Sequence, residues 1–536
     1  MMPSAFRFVV LFVLAAGQLA CGGNGLAADA AVNHAAVNAA AGEATALAGA
    51  LESVTTSDLR RHAEFLAADT LEGREAGSRG GQAAGGYLID QLRQMKLHGG
   101  AADGAFHQPV PTGGRNILAI VPGGDEQLRR QVIVVGAHYD HVGYGNRGNS
   151  YGPTGLIHNG ADDNASGTSG LLEIAEALAR LPQPPRRTIL LAWWDGEENG
   201  LLGSKHWMAN PTVAKDRLAM MFNADMIGRL RSDRVEVTGV RTAPGLRRWI
   251  SGWNNAPALS LDFQWEIKSN SDHHPFYEAG VPIVMLHTGL HEDYHRPSDD
   301  IERLSVDGMQ RVTRLMLSLV LDAANADALP AFRSSARQEA SENARRQFER
   351  SLAAPSPRLG VTWDAADTSG GLLVKRVDDG SPADRAGVRE GDRLLALNDA
   401  PWQSEDEFRT LVWAADNPAR MLVRRGDREA PVIVPIELAG SPVRLGMAWR
   451  IDEAEPRTVF VVQVYGGSPT DRAGVKLGDR IDAAAGREFT DSDELLRIVG
   501  EQSVAFELKI ERNGAIQSLT VGPLAKFPAA PRATEP

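Results

Sequence analysis

The sequence predicts an α/β protein: a mostly parallel, mixed sheet flanked by helices, followed by two small β-rich domains. Short apolar runs at residues 132–135, 188–194, 218–222, 235–238 and 281–286 read as strands. They alternate with helical patterns at residues 167–181, 245–253 and 307–325, the order expected of a largely parallel sheet. The second half repeats itself instead. "SPADRAGVREGDR" begins at Ser381 and "SPTDRAGVKLGDR" at Ser468, while "RLGV" at 358–361 recurs as "RLGM" at 444–447. The spacing is that of a tandem duplication of roughly 85 residues.

The elements fall in order along 536 residues, of which 43% are hydrophobic, enough for about three domains. Arg7 precedes an apolar run at residues 8–16, too short to cross a bilayer and suited to a signal peptide over residues 1–28. Cys21 is the only cysteine, so no intramolecular disulfide forms. Two readings of the leader stand. "QLAC" resembles a lipoprotein cleavage box, with Gln18 in place of the usual aliphatic residue, which would put a lipid anchor on Cys21; alternatively, cleavage after Ala28 discards it. Either reading exports the chain to the periplasm, cell envelope or medium. A flexible Ala-rich spacer is expected at 29–50. A helix capped by Ser57 or Asp58 then opens the main domain, 51–329, with a second helix at 81–96. A charged linker (330–355), one β-rich domain (356–438), another (441–524) and a disordered tail (525–536) complete the chain. The net charge of -12 argues against a nucleic-acid partner, and no later run is long enough for a transmembrane span.

The chemistry gathers at strand ends. "GAHYDHVG" places His138 and Asp140 just past the first of these strands, and "NGADDNASG" places Asp162 and Asp163 in a Gly-rich turn before a helix. Glu197 and Glu198 end the next strand in "LLAWWDGEENGLLGS", Asp225 follows another in "FNADMIG", and His295 lies beyond the last in "EDYHRPSDD". Ligands of open α/β sheets bind beyond the carboxyl ends of the strands, so these side chains converge on one rim. Carboxylates crowded there cost several kcal/mol each to bury unless something compensates them. Histidines mixed with carboxylates suit zinc better than magnesium or calcium. A shared carboxylate would bridge two metals roughly 3.5–4 Å apart. One glutamate of the pair then binds the cation and the other handles a proton beside it.

Together, "GAHYDHVG", "GADDNASG", "WDGEENGLLGS", "NADMIGR", "SDHHPF" and "YHRPSDD" resemble the cocatalytic di-zinc aminopeptidases over residues 55–325. Glutamate carboxypeptidases belong to the same family and glutaminyl cyclases are more distant relatives. The resemblance implies a zinc exopeptidase fold and two zinc ions per chain. It implies His138 and Asp225 on one zinc, Glu198 and His295 on the other, Asp163 bridging, and Glu197 as general base acting on a metal-bound hydroxide. In some members a tyrosine before the last histidine hydrogen-bonds the oxyanion, and Tyr294 holds that position. Asp140 either accepts the second ring N–H of His138 or caps the strand end. Asp272 is read as supporting the fold rather than the chemistry. Spacing does not assign His141, His273 or His274.

The two repeats resemble PDZ domains of bacterial proteases. The resemblance puts a carboxylate-binding loop at Leu359, Gly360 and Val361, and a second at Leu445, Gly446 and Met447. Such loops hold peptide C-termini, or the repeats brace the enzyme or mediate assembly. The expected activity is removal of N-terminal residues from peptides. The rivals are a carboxypeptidase, with Arg74, Arg147 or Arg229 gripping a substrate carboxylate, a glutaminyl cyclase, and a PDZ scaffold with secondary peptidase activity.

Overall fold

The computed structural model describes residues 45–111, 113–254, 258–352, 357–367, 369–426, 430–522 and 524. The expected signal peptide, Cys21, the spacer up to residue 44 and the tail at 525–536 lie outside the described residues. The end of the spacer does not: residues 45–53 are helical and Ala50 is buried in the core. The chain forms two units, one ending at Ser341 and the other beginning at Glu342. Among the described residues no helix is long and apolar enough to cross a membrane.

The first unit is built on one sheet: β1 (His98–Gly99), β2 (His107–Pro109), β3 (Arg115–Val121), β4 (Val132–His138), β5 (Thr188–Trp194), β6 (Leu218–Ala224), β7 (Arg234–Thr238), β8 (Ser260–Gln264) and β9 (Ile283–His287). Its order is β1-β3-β5-β4-β6-β9-β7-β8, with β2 also pairing β3. The central run β5-β4-β6-β9 is parallel and both flanks join it antiparallel. Every residue of β4 and β5 is buried. Successive side chains on a strand point to opposite faces. Ile133, Val135, Ile189, Leu191 and Trp193 therefore enter one core, and Val132, Val134, Leu190, Ala192 and Trp194 the other. Burial on both faces is why these strands read as unbroken apolar runs.

From β4 the chain crosses through helix Gly167–Ala179 to β5 on one side, and from β5 it returns to β6 on the other. This reversal opens a crevice beyond the carboxyl ends of β4 and its neighbours. The first described helix after Val54 is capped two or three residues earlier than expected: Thr55 Oγ1, not Ser57 or Asp58, accepts from Asp58 N at 3.1 Å. The next helix spans Arg79–Gln94, two residues ahead of the expected start, with Ser78 as its cap.

The second unit holds two antiparallel sheets with separate cores. The first contains β10 (Val361–Trp363), β11 (Leu372–Val377), β12 (Asp392–Leu397), β13 (Ala419–Arg425) and β14 (Val432–Ile436), with helix Glu405–Ala414. The second contains β15 (Met447–Ile451), β16 (Val459–Val464), β17 (Arg480–Ala484), β18 (Arg487–Glu488), β19 (Phe506–Arg512) and β20 (Ala515–Val521), with helix Ser492–Gly500. β10 and β15 are edge strands. The repeated "SP-x-DR" is explained locally. Ser381 and Ser468 cap short helices whose first residue is proline, accepting from Asp384 N and Asp471 N.

The span expected to be linker is divided between the units. Arg333 donates to Arg241 O at 2.9 Å and Arg337 to Glu278 O at 2.9 Å, both within the first unit. Helix Glu342–Glu349 joins the second repeat, where Phe348 lies 5.2 Å from Phe460 and Arg450 donates to Gln347 O at 3.2 Å. Arg450 is opposite Phe460 in the β15–β16 register.

A titratable pair lies buried behind the sheet. His62 Nε2 is 3.6 Å from Glu173 Oε1, His62 Nδ1 is 2.6 Å from Tyr87 Oη, and Thr55 N donates to Glu173 Oε2 at 3.2 Å. Burial pushes Glu173 up to about 8 and His62 down to about 4. Glu173 holds its proton more tightly folded than unfolded, so the stability that proton provides is full below about 4.5 and lost as pH rises through about 8. His62 works in the opposite sense, losing stability only as pH falls below its unfolded value of 6.5. Glu173→Gln should therefore remove a decline of about 2 kcal/mol between pH 6.5 and 8. Denaturant titrations of both proteins at the two pH values test this. An identical decline in wild type and variant would show that Glu173 is ionised in the native state.

Candidate metal centre

Four strand ends supply the site. His138 closes β4, and its Nε2 is 3.2 Å from Asp225 Oδ1 and 3.3 Å from Asp163 Oδ1. The other oxygen of Asp163, Oδ2, is 3.1 Å from His295 Nε2, which is 3.0 Å from Glu198 Oε2. His141 Nδ1 lies 2.7 Å from Glu198 Oε1. Two groups able to hold a metal result: His138, Asp163 and Asp225, and His141, Asp163, Glu198 and His295, with the ligand atoms of each within 4.8 Å of one another. Asp163 belongs to both.

The loops are fixed by polar groups that contribute no ligand atom to either group. Asp140 does not hold His138 through its carboxylate. That ring's Nδ1 is 3.2 Å from the Asp140 carbonyl oxygen and 3.7 Å from the nearer carboxylate oxygen. The Asp140 carboxylate instead accepts from Glu197 N at 3.1 Å and Glu198 N at 3.4 Å, so it aims the glutamate pair. Asn164 accepts from Met226 N and donates to Ala224 O, pinning the Asp163 turn to the end of β6. Asp299 Oδ2 accepts from Asp162 N and Asp163 N. Gly160 is left-handed at φ 56°, and a Cβ there would lie 2.2 Å from Asp163 O and 2.5 Å from the His141 ring, so the turn admits only glycine.

Arg74 is wholly buried and donates to the carbonyls of Leu66, Tyr139, Asn159 and Gly160, stapling the His138 and Asp163 loops together. Burial lowers it to about 10, opposed by Asp163 and Asp140. It is unavailable to a substrate carboxylate. Arg229 is similarly engaged, 2.9 Å from Asp293, while Arg147 is exposed.

Burial pushes Glu197 well above the usual carboxylate range; Glu198, Asp272 and Asp225 add to the shift and His138 opposes it. Asp272 is wholly buried, pushed up to about 7 by desolvation, and stands outside both metal-capable groups. The Tyr294 ring stacks 3.9 Å from that of His295. Burial and the carboxylates of Asp163 and Glu198 hold its hydroxyl protonated. His141 is the residue whose place the sequence left open; the signal was the second histidine of "HYDH". Arg74 and Asn164 carried no readable role, because their partners are carbonyls and amides of distant loops.

In the second unit, Leu359 and Leu445 are buried while Gly360 and Gly446 are left-handed, at φ 78° and 79°. A Cβ on either would lie 2.3 or 2.0 Å from the Cβ of Ser381 or Ser468. Val361 and Met447 open the edge strands β10 and β15. Trp363 meets Phe408 edge-on at 5.4 Å, and Trp449 Nε1 donates to Ser492 Oγ at 3.0 Å, so each edge strand is tied to its helix by a tryptophan.

The donor set fits a divalent metal. Asp163, Glu198 and Asp225 crowd together, and the buried cation beside them, Arg74, is committed to carbonyls. Histidine nitrogens interleaved with these oxygens form a borderline ligand set that suits zinc.

The family model of peptidase family M28 matches residues 116–320, and that of the PDZ domain residues 373–425. Leucine aminopeptidase 1 of Grosmannia clavigera is 31% identical over 299 residues, 52% of this chain and 70% of that relative. The chain belongs to peptidase family M28. Leupeptin-inactivating enzyme 1 of Streptomyces exfoliatus is 29% identical over 35% of this chain, which spans 39% of that relative's length. The solved Legionella pneumophila LapA aminopeptidase is 19% identical, over 53% of this chain and 75% of that one, with a TM-score of 0.44. The M28 match runs from β3 into the helix Val306–Asn325 and so takes in every residue of the two metal-capable groups.

The neighbours Glu197 and Glu198 should fail differently. Glu198→Ala removes the carboxylate that faces both His141 and His295, so metal content should fall. If Glu197 is the general base that the family resemblance implies, Glu197→Gln should keep the metal while turnover drops roughly 10²- to 10⁴-fold, the worth of a positioned general base. Elemental analysis alongside kcat separates the two; full metal in Glu198→Ala with an emptied Glu197→Gln would exchange their roles.

Proposed function

We propose that this chain is an exported, zinc-dependent aminopeptidase that binds two zinc ions and removes N-terminal residues from peptides. The observation that carries the reading is the division of Asp163: one oxygen 3.3 Å from His138 Nε2, the other 3.1 Å from His295 Nε2. A single carboxylate facing two donor groups is what a binuclear centre requires. The names of the M28 relatives, leucine aminopeptidases among them, support the aminopeptidase reading.

His138 and Asp225 would hold one zinc, Glu198 and His295 the other, with Asp163 between them and His141 beside the second. Bound zinc supplies Lewis acidity, polarising a carbonyl and acidifying a water. Glu197 takes a proton from the attacking water on its carboxylate and passes it to the leaving amine. Asp140 keeps that carboxylate aimed through the backbone N–H groups of Glu197 and Glu198. The Tyr294 hydroxyl donates to the carbonyl oxygen as negative charge develops there. A free peptide amine is recognised beside the carboxylates, which restricts cleavage to the N-terminus. The PDZ-like repeats take peptide C-termini, with the backbone N–H groups of residues 359–361 and 445–447 around the carboxylate and the peptide as an added strand on β10 or β15.

Two experiments test this. A peptide with a free amine should be cleaved and its N-acetylated form resist, and a chelator should abolish turnover; trimming of blocked peptides from the C-terminus would make the enzyme a carboxypeptidase. Peptides with a free C-terminal carboxylate should bind the full chain in fluorescence anisotropy, and C-terminal amidation should remove that binding. Equal affinity for the amide would leave the repeats as braces.

A further inference from the structure

Between His141 and the "NGADDNASG" motif lies a glycine-rich segment, residues 143–158, to which the catalytic reading gives no task. It is tied to the last metal-facing histidine by several bonds. His295 Nδ1 is 2.9 Å from the carbonyl oxygen of Asn149. Tyr151 N donates to His295 O at 3.0 Å, and Arg296 Nη1 donates to Tyr151 O at 2.7 Å and Gly152 O at 3.0 Å. His295 itself is left-handed, at φ 52°. A non-glycine residue keeps that strained conformation only where its surroundings fix it.

The segment has its own lock. Buried His158 places Nδ1 2.9 Å from Leu156 O and Nε2 2.7 Å from Ser150 Oγ. A carbonyl opposite Nδ1 requires a proton there, so in the neutral ring Nε2 is the acceptor. Gly152 N donates to Ser150 Oγ at 2.8 Å, and the hydroxyl donates to His158 Nε2 at 2.7 Å, with His295 O a second and longer acceptor at 3.4 Å. The imidazole packs against Gly145, whose Cβ, if it had one, would sit 2.3 Å from His158 Cε1. Ser150 is the residue after Asn149, so the lock fixes the carbonyl that faces His295.

We propose that His158 and Ser150 are positioning residues for the metal centre: they hold the Asn149 carbonyl against His295 Nδ1–H, so that Nε2 presents its lone pair between Asp163 and Glu198. The chemistry requires such an acceptor. An imidazole offers Nε2 to a metal only if the proton stays on Nδ1, and outer-shell partners of this kind are worth 10- to 100-fold in metal affinity. The inference rests on the binuclear reading above.

The test is zinc affinity, read by competition with a chromophoric chelator on the full chain. Wild type should take up two zinc ions. In Ser150→Ala one of the two affinities should weaken about 10- to 100-fold, the other should hold, and kcat should fall more than KM rises. Ser150→Thr, which keeps the hydroxyl, should restore both. His158→Gln, whose side-chain oxygen reaches the place of Nε2, should lose less than His158→Leu. Unchanged affinities in Ser150→Ala would overturn the positioning role, and so would an equal loss at both sites, which marks general loosening. A wild-type chain that binds no zinc would overturn the metal reading beneath it.

Discussion

Asp163 faces a histidine with each of its carboxylate oxygens, and much of the first unit serves to hold it between them. The position is costly. Asp163 is buried, Glu198 and Asp225 are close by, and mutual repulsion in a low-dielectric crevice opposes folding. The protein answers with direction more than with charge. Backbone N–H groups, amide groups and one guanidinium are aimed so that each loop carrying a ligand is fixed by a partner from another loop.

Arg74 shows how this differs from an ion pair. Its guanidinium reaches carbonyls on the strand-end loop of β4 and on the turn before Asp163, both far from Arg74 in sequence. The charge offsets some of the surrounding carboxylate field, and the planar fork fixes the loops relative to each other. Asp140 acts similarly from the opposite side, through the amides of the glutamate pair. A pair of adjacent glutamates at a strand end is thereby held so that the two side chains meet different neighbours: Glu198 faces His141 and His295, while Glu197 lies in the field of His138 and Asp225.

The second unit follows a separate logic. Each repeat needs a left-handed glycine packed against a capping serine, and each ties its edge strand to a helix through tryptophan. The short helix before the first repeat packs with the second, on the sheet face carrying Phe460 and Arg450, so chain order and spatial order differ.

The sequence by itself determined the α/β sheet, the tandem β-rich repeats and five of the six residues that meet in the two metal-capable groups, because these leave local signals: unbroken apolar runs on strands buried twice, glycine where only glycine fits, and carboxylates where a strand ends. It did not determine the task of Asp140, which turned from the His138 ring to the amides of Glu197 and Glu198, nor the nearness of His141 to Glu198. It offered Arg74 only as one of three arginines a carboxypeptidase would need, without placing it, and it put the first helix cap at Ser57 or Asp58 where Thr55 holds it. The cap apart, which Thr55 makes locally to Asp58 N, those matters were decided by the tertiary structure. A side chain whose partner is the backbone of another loop carries no partner in its own sequence neighbourhood, and only the crossing from β4 to β5 and back to β6 brings the two together.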